Sequence, residues 1–232
     1  MAFLGVAMLT AACGIPLDDA PRAIEIPSTT AADEPDSTTA SADGTVFMYY
    51  LSDNLLTAVE TEGGDQTPAQ VLASLFAGVP EGARTNVSTQ IPAGTDLLGT
   101  VLSGGSLTID VSSEFDNLVG SGRTLALAQI VMTVTELDEV RSVSLRIDGV
   151  DVPIYSPEAG DTTTVTDCDY RSLFPQSIGG VSLSELVKTV PTPDPDGPQT
   201  TLEPSGNDPD LSDEERHLLN RIVAVDRSCG PS

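Results

Sequence analysis

Apolar and polar residues alternate in a pattern that predicts two β-hairpins in the first half of the chain. The first joins apolar stretches at residues 46–51 and 55–59 through a Ser-Asp-Asn turn. The second joins residues 97–102 to residues 107–111 through a Ser-Gly-Gly-Ser turn. Its second arm alternates apolar and polar residues strictly, so we expect a strand with one buried face.

Apolar residues at helical spacing predict a short helix after the first hairpin. Thr67 and Gln70 form a capping box, with a proline at the first helical position. Leu72, Leu75 and Phe76 then fall on one helical face. Gly78 suits the position that terminates the helix.

A second and longer helix is predicted over residues 123–137. Its apolar residues recur at a spacing of three and four, which is typical of an amphipathic helix with one buried face. Many of them are β-branched, so packing rather than intrinsic propensity must hold the helix. The residues of this predicted face are Leu127, Ile130, Val131, Val134 and Leu137.

The elements that follow complete one domain. Val143, Leu145 and Ile147 alternate with polar residues, and Gly149 turns the chain toward a short strand near residues 152–155. Strands and helices therefore interleave along the chain. We predict an α+β domain with a mixed, largely antiparallel sheet and two packed helices.

We place that domain at residues 44–156, and the pattern weakens beyond it. Residues 157–189 are predicted to form an extension, with a packed segment at 169–175 and one or two helical turns at 182–188. Pro, Asp, Thr and Gly dominate residues 190–210, which is typical of a Pro-rich linker.

The last segment, residues 211–232, predicts a C-terminal helix. Ser212 and Glu215 form a second capping box at its start. An apolar stripe follows, which would dock the helix on another surface. The stripe consists of Leu218, Leu219, Ile222 and Val223.

The start of the chain indicates a lipoprotein signal. Residues 1–12 are apolar and uncharged, too few to span a bilayer, and end in two alanines before Cys13. We predict a signal peptide at 1–12, a lipid on Cys13 and a disordered tether over residues 13–43. Thr10 replaces the usual Leu and no basic residue precedes the apolar run, so we expect the true translation start upstream. The alternative is a buried strand or helix with a core cysteine.

The strongly acidic charge of the chain limits the classes of partner that it can bind. The formal net charge is -25, from 35 acidic and 10 basic residues. Nucleic acid is excluded as a partner because its phosphates require a basic patch. The same charge repels an anionic membrane surface, so the lipid must provide the anchor. We therefore expect a protein on the extracytoplasmic face of the cell membrane, attached through its N-terminal lipid.

The two remaining cysteines form an even pair. If Cys13 carries lipid, Cys168 and Cys229 are left in an exported chain, which predicts a disulfide. The alternative is two free buried thiols.

Candidate catalytic groups are few, and we predict neither an enzyme nor a cofactor. His217, the one histidine, lies beside Glu214 and Glu215 and is interpreted as a solvated surface residue. A cluster of carboxylates near a strand end is interpreted most simply as a solvated edge of the sheet. Its carboxylates could alternatively serve a glycosidase or a weak calcium site. The cluster consists of Asp110, Glu114 and Asp116.

Taken together, six segments in order resemble the GerMN domain, first recognised in spore-germination lipoproteins and common in envelope lipoproteins of high-GC Gram-positive bacteria. The resemblance implies an α+β module outside the cytoplasmic membrane, without known catalytic residues, that serves binding or assembly. It also implies structural roles for Gly78, Pro92, Gly94 and Gly149. The segments are residues 46–51, 70–78, 89–95, 107–115, 128–135 and 143–149.

These observations lead to one predicted function and two alternatives. We expect a lipid-anchored, non-catalytic binding or scaffold module whose partner is an envelope protein or peptidoglycan. The first alternative is a cell-wall hydrolase that uses acidic residues such as Asp110 and Glu114. The second is a small-molecule-binding lipoprotein, although one domain of this size is small for two-lobed closure.

Overall fold

The first predicted hairpin forms as a two-stranded sheet of its own. In the computed structural model, which describes residues 45–63, 66–83, 86–189 and 211–230, β1 (Thr45–Ser52) pairs antiparallel with β2 (Leu55–Glu62). Asp53 and Asn54 make the turn with φ of 52° and 64°. Two-residue hairpins require such positive φ values, which Asn and Asp tolerate better than most residues.

Predictions for residues 1–44 and 190–210 lie outside the described residues. The signal peptide, the lipid on Cys13, the tether and the Pro-rich linker therefore stay predictions. Among the residues that the structure does describe, no helix has the length and apolar character needed to cross a bilayer.

The first helix, α1 (Pro68–Phe76), begins at the predicted capping box. The Gln70 amide donates to the Thr67 hydroxyl, and the Thr67 amide donates to Gln70 Oε1 at 2.9 Å. Leu72 and Leu75 are buried, as the helical spacing predicted, and Phe76 is partly buried against the same core. The capping box thus fixed the start of this helix, and the spacing of its apolar residues fixed the buried face.

The second hairpin lies within a four-stranded mixed sheet. Its strands, in spatial order, are β3 (Leu97–Ser103), β4 (Ser106–Val111), β5 (Ser142–Ile147) and β6 (Val150–Val152). The outer pairs are antiparallel, while β4 and β5 are parallel. A parallel pair requires a crossover of a dozen or more residues, which contains the second helix, α2 (Gly120–Val134).

Helix α2 differs from the predicted amphipathic helix in its bounds and its burial. It starts and ends three residues earlier than the predicted range 123–137. Every residue from Leu125 to Val134 is buried, so no polar face meets solvent over this stretch. Because α2 packs against β1, α1 and the segment 167–173, neighbouring elements cover it on several sides.

Two polar side chains of α2 are buried because they complete the hydrogen bonds of an edge strand. The Tyr49 amide of β1 donates to Thr133 Oγ1 at 2.9 Å, and Gln129 Nε2 donates to the Tyr49 carbonyl at 3.2 Å. Gln129 and Thr133 lie one helical turn apart, so both reach the same residue of β1. A buried polar group needs such a partner, and here the helix also covers an open strand edge.

The single short strand predicted near residues 152–155 is divided at Pro153. The part before Pro153 belongs to β6, and the part after it forms β7 (Ile154–Ser156), which pairs with β8 (Gly160–Thr162). Proline cannot donate to a strand ladder, which explains the break.

The extension is more ordered than its composition suggested. A 3₁₀ helix at Asp167–Leu173 contains Tyr170, which is fully buried. The small hairpin of β9 (Ser177–Ile178) and β10 (Val181–Ser182) follows it. The helical turns predicted at residues 182–188 are present as α3 (Leu183–Thr189).

The C-terminal helix is confirmed as α4 (Asp213–Cys229). Its capping box is formed, since the Glu215 amide donates to the Ser212 hydroxyl and the Ser212 amide donates to Glu215 Oε2. Leu218, Leu219 and Val223 are buried where α4 packs against β2 and the 3₁₀ helix Asp167–Leu173. The apolar stripe read from the sequence is therefore the docking face.

Candidate functional site

An apolar groove opens at the N-terminus of α2. It has a volume of about 670 Å³ and is bounded by α2, the β1–β2 turn, β7 and the end of the 3₁₀ helix Asp167–Leu173. Its lining residues include the buried Leu125 and Leu127, the half-buried Leu173 and the exposed Tyr155. Tyr155 is 56% exposed, so a large aromatic ring borders an apolar cavity and faces solvent. Such a combination is typical of a binding surface.

The one cation among the described lining residues of this groove is already paired. Arg123 Nη1 lies 3.1 Å from Asp116 Oδ1, and the guanidinium carbon lies 5.9 Å from the centre of the Phe115 ring. Asp116 remains largely exposed. Asp53 precedes the lining residue Asn54 in the β1–β2 turn, and Asp161 stands opposite Tyr155 in the β7–β8 pair. The surroundings of the groove are therefore acidic.

The predicted carboxylate cluster does not act as one site, because its members have separate surroundings. Asp110 Oδ1 accepts a hydrogen bond from the Gly149 amide at 3.0 Å, which supports the β5–β6 turn. Asp116 pairs with Arg123. Glu114 is fully exposed, and a hydrogen bond with Ser112 lowers its pKa. A glycosidase instead needs two carboxylates that flank one bond, one of them with a raised pKa.

Another group of potential metal ligands occurs around the disulfide. Within the described residues, only Asp167, Cys168 and Cys229 bring three such donor atoms within 4.8 Å of one another. The two sulfur atoms are bonded to each other, as the cysteine pair predicted. Cysteine binds a metal ion as a thiolate, and neither sulfur is a thiolate in the disulfide. The role of this group is therefore structural.

A polar network joins α4 to the end of α2, and Glu136 is its centre. The Tyr49 hydroxyl donates to Glu136 Oε1 at 2.9 Å, and Arg221 Nε lies 3.2 Å from the same oxygen. His217 Nε2 lies 3.1 Å from Glu136 Oε2. The Glu136 side chain is only 15% exposed, so these partners replace the water that it loses on folding.

The interpretation of His217 as a solvated surface residue is wrong. Its side chain is 25% exposed and its ring stacks on Phe47, with centroids 3.5 Å apart and planes 8° apart. The helix turns His217 toward β1 and Glu136 rather than toward the neighbouring acidic residues of its own first turn. Sequence neighbours could not reveal this, because the partners lie far away along the chain.

Arg221 extends the network toward the disulfide. Its Nη2 donates to Thr135 Oγ1 at 2.9 Å and lies 3.1 Å from Asp167 Oδ2. Asp167 directly precedes Cys168, so the ion pairs and the disulfide fasten α4 to the same 3₁₀ helix. Arginine suits this position because its planar fork donates several hydrogen bonds from one charge.

Opposing effects set the pKa of Glu136. Burial raises it, but the close contact with His217 and the positive charge of Arg221 outweigh burial and lower the pKa below 4.5. Burial, assisted by the charge of Glu136, raises the pKa of Tyr49 far above its usual range. Tyr49 therefore remains a hydrogen-bond donor to an ionised carboxylate at neutral pH.

We expect the stability contributed by Glu136 to be lost in acid. Because the folded pKa lies below the ordinary value of 4.5, this contribution is fully present above that value and declines as the pH falls through the folded pKa. Urea unfolding from pH 7 to about pH 3 should show a shallower loss of stability in Glu136→Gln than in wild type. Glu139→Gln, an exposed control, should follow wild type. Equal slopes for Glu136→Gln and wild type would contradict the assignment.

Comparison with known protein families identifies the first part of the chain. The family model Germane, described as "Sporulation and spore germination", matches residues 42–153. This chain is a GerMN-domain protein. The match covers just under half of the 232 residues and confirms the resemblance in the sequence, as well as its α+β fold.

Three solved structures are similar to the GerMN-domain protein. The tandem GerMN domains of the sporulation protein GerM from Bacillus subtilis share 16% identity, with a TM-score of 0.43, over 54% of this chain and 46% of theirs. The first GerMN domain of that protein shares 18% identity, with a TM-score of 0.41, over 53% of this chain and 94% of its own. A candidate lipoprotein from Clostridium perfringens shares 16% identity, with a TM-score of 0.39, over 57% of this chain and 92% of its own.

This chain thus matches about half the length of the tandem-domain protein. A search among curated proteins returned no match.

The glycines expected to have structural roles in the GerMN domain do so. Gly78, Gly94 and Gly149 have φ of 96°, 87° and 78°, values that disfavour any residue with a Cβ atom. At Gly149 this conformation lets the amide donate to Asp110 across the sheet. None of the three lines the groove.

Both the groove and the polar network extend beyond the GerMN domain. The family match ends at residue 153, whereas Tyr155, Leu173, His217 and Arg221 come later in the chain. The domain contributes the floor of the groove and the central Glu136 of the network. The C-terminal extension contributes the remaining wall of the groove and the cations of the network.

Proposed function

We propose that this GerMN-domain protein is a non-catalytic binding module of the cell envelope, held on the extracytoplasmic face of the membrane by a lipid on Cys13. The family match supports the envelope role, since its description concerns sporulation and spore germination. The Cys168–Cys229 disulfide supports export, because disulfides persist in oxidising compartments. The partner is an envelope protein or peptidoglycan.

The apolar groove carries the binding role. It places the exposed Tyr155 ring beside the buried Leu125 and Leu127 side chains. Water in contact with such a surface is released when a partner covers it, which favours association. Among the carboxylates considered for hydrolysis, Asp110 supports a turn and Asp116 forms an ion pair with Arg123, which favours binding over catalysis.

A lipid on Cys13 predicts that Cys13→Ala abolishes membrane attachment. The variant should lose incorporation of labelled palmitate and move from the membrane fraction to the medium, or remain as the uncleaved precursor. Two or more acyl chains hold a protein firmly at about 0.8 kcal/mol for each buried methylene, so the loss should be nearly complete. Cys229→Ser is the control and should keep the label. A Cys13→Ala variant that retains both the label and the membrane fraction would overturn the anchor.

A further inference from the structure

We infer that the groove receives a segment of a partner protein in which an apolar side chain is flanked by lysine or arginine. This inference rests on the proposed binding function and adds the place of contact and the chemistry of the partner. It follows from three features of the groove: its apolar lining, its acidic surroundings and the engagement of Arg123 and Thr124 on its walls.

The lining favours an apolar side chain as the anchor. Leu125 and Leu127 are buried, Leu173 is half-buried and the Tyr155 ring stands open to solvent. A Phe or Leu side chain inserted between them would remove apolar area on both partners from water. Interfaces commonly depend on one such anchor in a pocket, surrounded by contacts that exclude water.

The polar groups on the groove walls favour a protein segment over a free small molecule. The Thr124 hydroxyl donates to the Gly120 carbonyl of its own helix at 3.3 Å, and Arg123 is paired with Asp116. A small-molecule site usually orients its ligand by several convergent polar groups, whereas Thr124 and Arg123 are already engaged within the protein. A peptide segment is oriented by the contacts that it makes along the rim.

The acidic surroundings favour a basic segment. Asp53 and Asp161 are exposed near the groove, and Asp116 neutralises Arg123, the one cation among the described lining residues. The whole chain carries a formal charge of -25, so a second copy would be repelled, as would an anionic lipid surface. Lysine or arginine beside the apolar anchor would meet the rim with complementary charge and speed association.

Peptide binding to the full-length protein tests this chemistry. The probe is a fluorescein-labelled Gly/Ser peptide of about 12 residues with a central Leu-Phe pair and two lysines on each side. Fluorescence polarisation should give a dissociation constant below about 1 mM. A second peptide with glutamate in place of every lysine, and a third with serine in place of Leu-Phe, should bind at least about tenfold more weakly.

Variants of the protein locate the contact. Ser121→Trp places a bulky side chain at the exposed start of α2, and Tyr155→Ala removes the exposed wall; each should weaken binding at least about tenfold. Val101→Ala changes a residue that is 62% exposed on β3, outside the groove, and should stay within about twofold. Equal affinity for the glutamate peptide, wild-type affinity in both groove variants, or no binding by 1 mM would overturn the inference.

A photo-crosslinking residue introduced in living cells separates this inference from the proposed function. Placed at position 155, it should capture a protein whose crosslinked peptide, sequenced by mass spectrometry, has an apolar residue flanked by lysine or arginine. Capture only from position 101, or of a segment without that pattern, would overturn the inference while the binding function stands. Capture of no envelope component from either position would overturn both.

Discussion

Removal of the Cys168–Cys229 disulfide is expected to lower the free energy of unfolding by about 4 kcal/mol. The bond closes a loop with a sequence separation of 61, and without it the unfolded chain gains the conformational freedom of that loop. The double variant Cys168→Ser/Cys229→Ser measures this in urea unfolding followed by far-UV circular dichroism under oxidising conditions. Its unfolding midpoint should lie well below that of wild type.

Reduction provides the control for the same prediction. Dithiothreitol should move the wild-type unfolding curve onto that of the double variant and leave the double variant unchanged. Amide exchange should then accelerate most in α4, since the bond fastens the end of this helix to the 3₁₀ helix Asp167–Leu173. Coincident curves for oxidised wild type and the double variant would show that the bond does not stabilise the fold.

Replacement of Glu136 by alanine is expected to destabilise the protein by about 3 kcal/mol at neutral pH. The variant leaves Arg221 and His217, which are 17% and 25% exposed, without the carboxylate that both contact. It also leaves the Tyr49 hydroxyl without its acceptor. The loss of a partner from a mostly buried ionic network costs more than the loss of a surface ion pair, because the remaining groups stay desolvated.

The matched control for Glu136→Ala is Glu139→Ala, three residues further along the chain. Glu139 is exposed, so its replacement should change the free energy of unfolding by no more than about 0.5 kcal/mol. Urea unfolding at pH 7 measures both variants. A change in Glu136→Ala as small as that of the control would mean that the network does not stabilise the docked helix.

The groove and the network share one element of the extension. Leu173, at the end of the 3₁₀ helix Asp167–Leu173, lines the groove, while Asp167 and Cys168, at its start, hold α4. The attachment of the C-terminal helix therefore also supports a wall of the proposed binding surface. For this reason both parts of the chain belong in every binding experiment.

Several parts of the structure could be predicted because they depend on neighbouring residues. Asp53 and Asn54 form the first hairpin turn through positive φ values that these residue types tolerate. Thr67 and Ser212 start their helices by hydrogen bonds to residues three positions later. The two cysteines were paired from their number alone, once Cys13 was assigned to the lipid.

Other parts could not be predicted because their partners are distant in sequence. Glu136 meets Tyr49, which is 87 residues away, and no local pattern marks either residue as a member of a network. The spacing in α2 indicated one buried face, but whether the opposite face meets water depends on what else packs there. The groove likewise combines four separate segments, of which none is unusual alone.

The sequence by itself determined the two hairpins, the capped starts of α1 and α4, the acidic charge and the resemblance to the GerMN domain. These follow from propensity, capping and composition, which act over a few residues or over the whole chain regardless of its path. Only the tertiary structure decided the burial of α2, the environment of His217 and the existence of the groove. Burial and charge pairing depend on distances in space, and packing alone brings residues so far apart in sequence within a few ångströms.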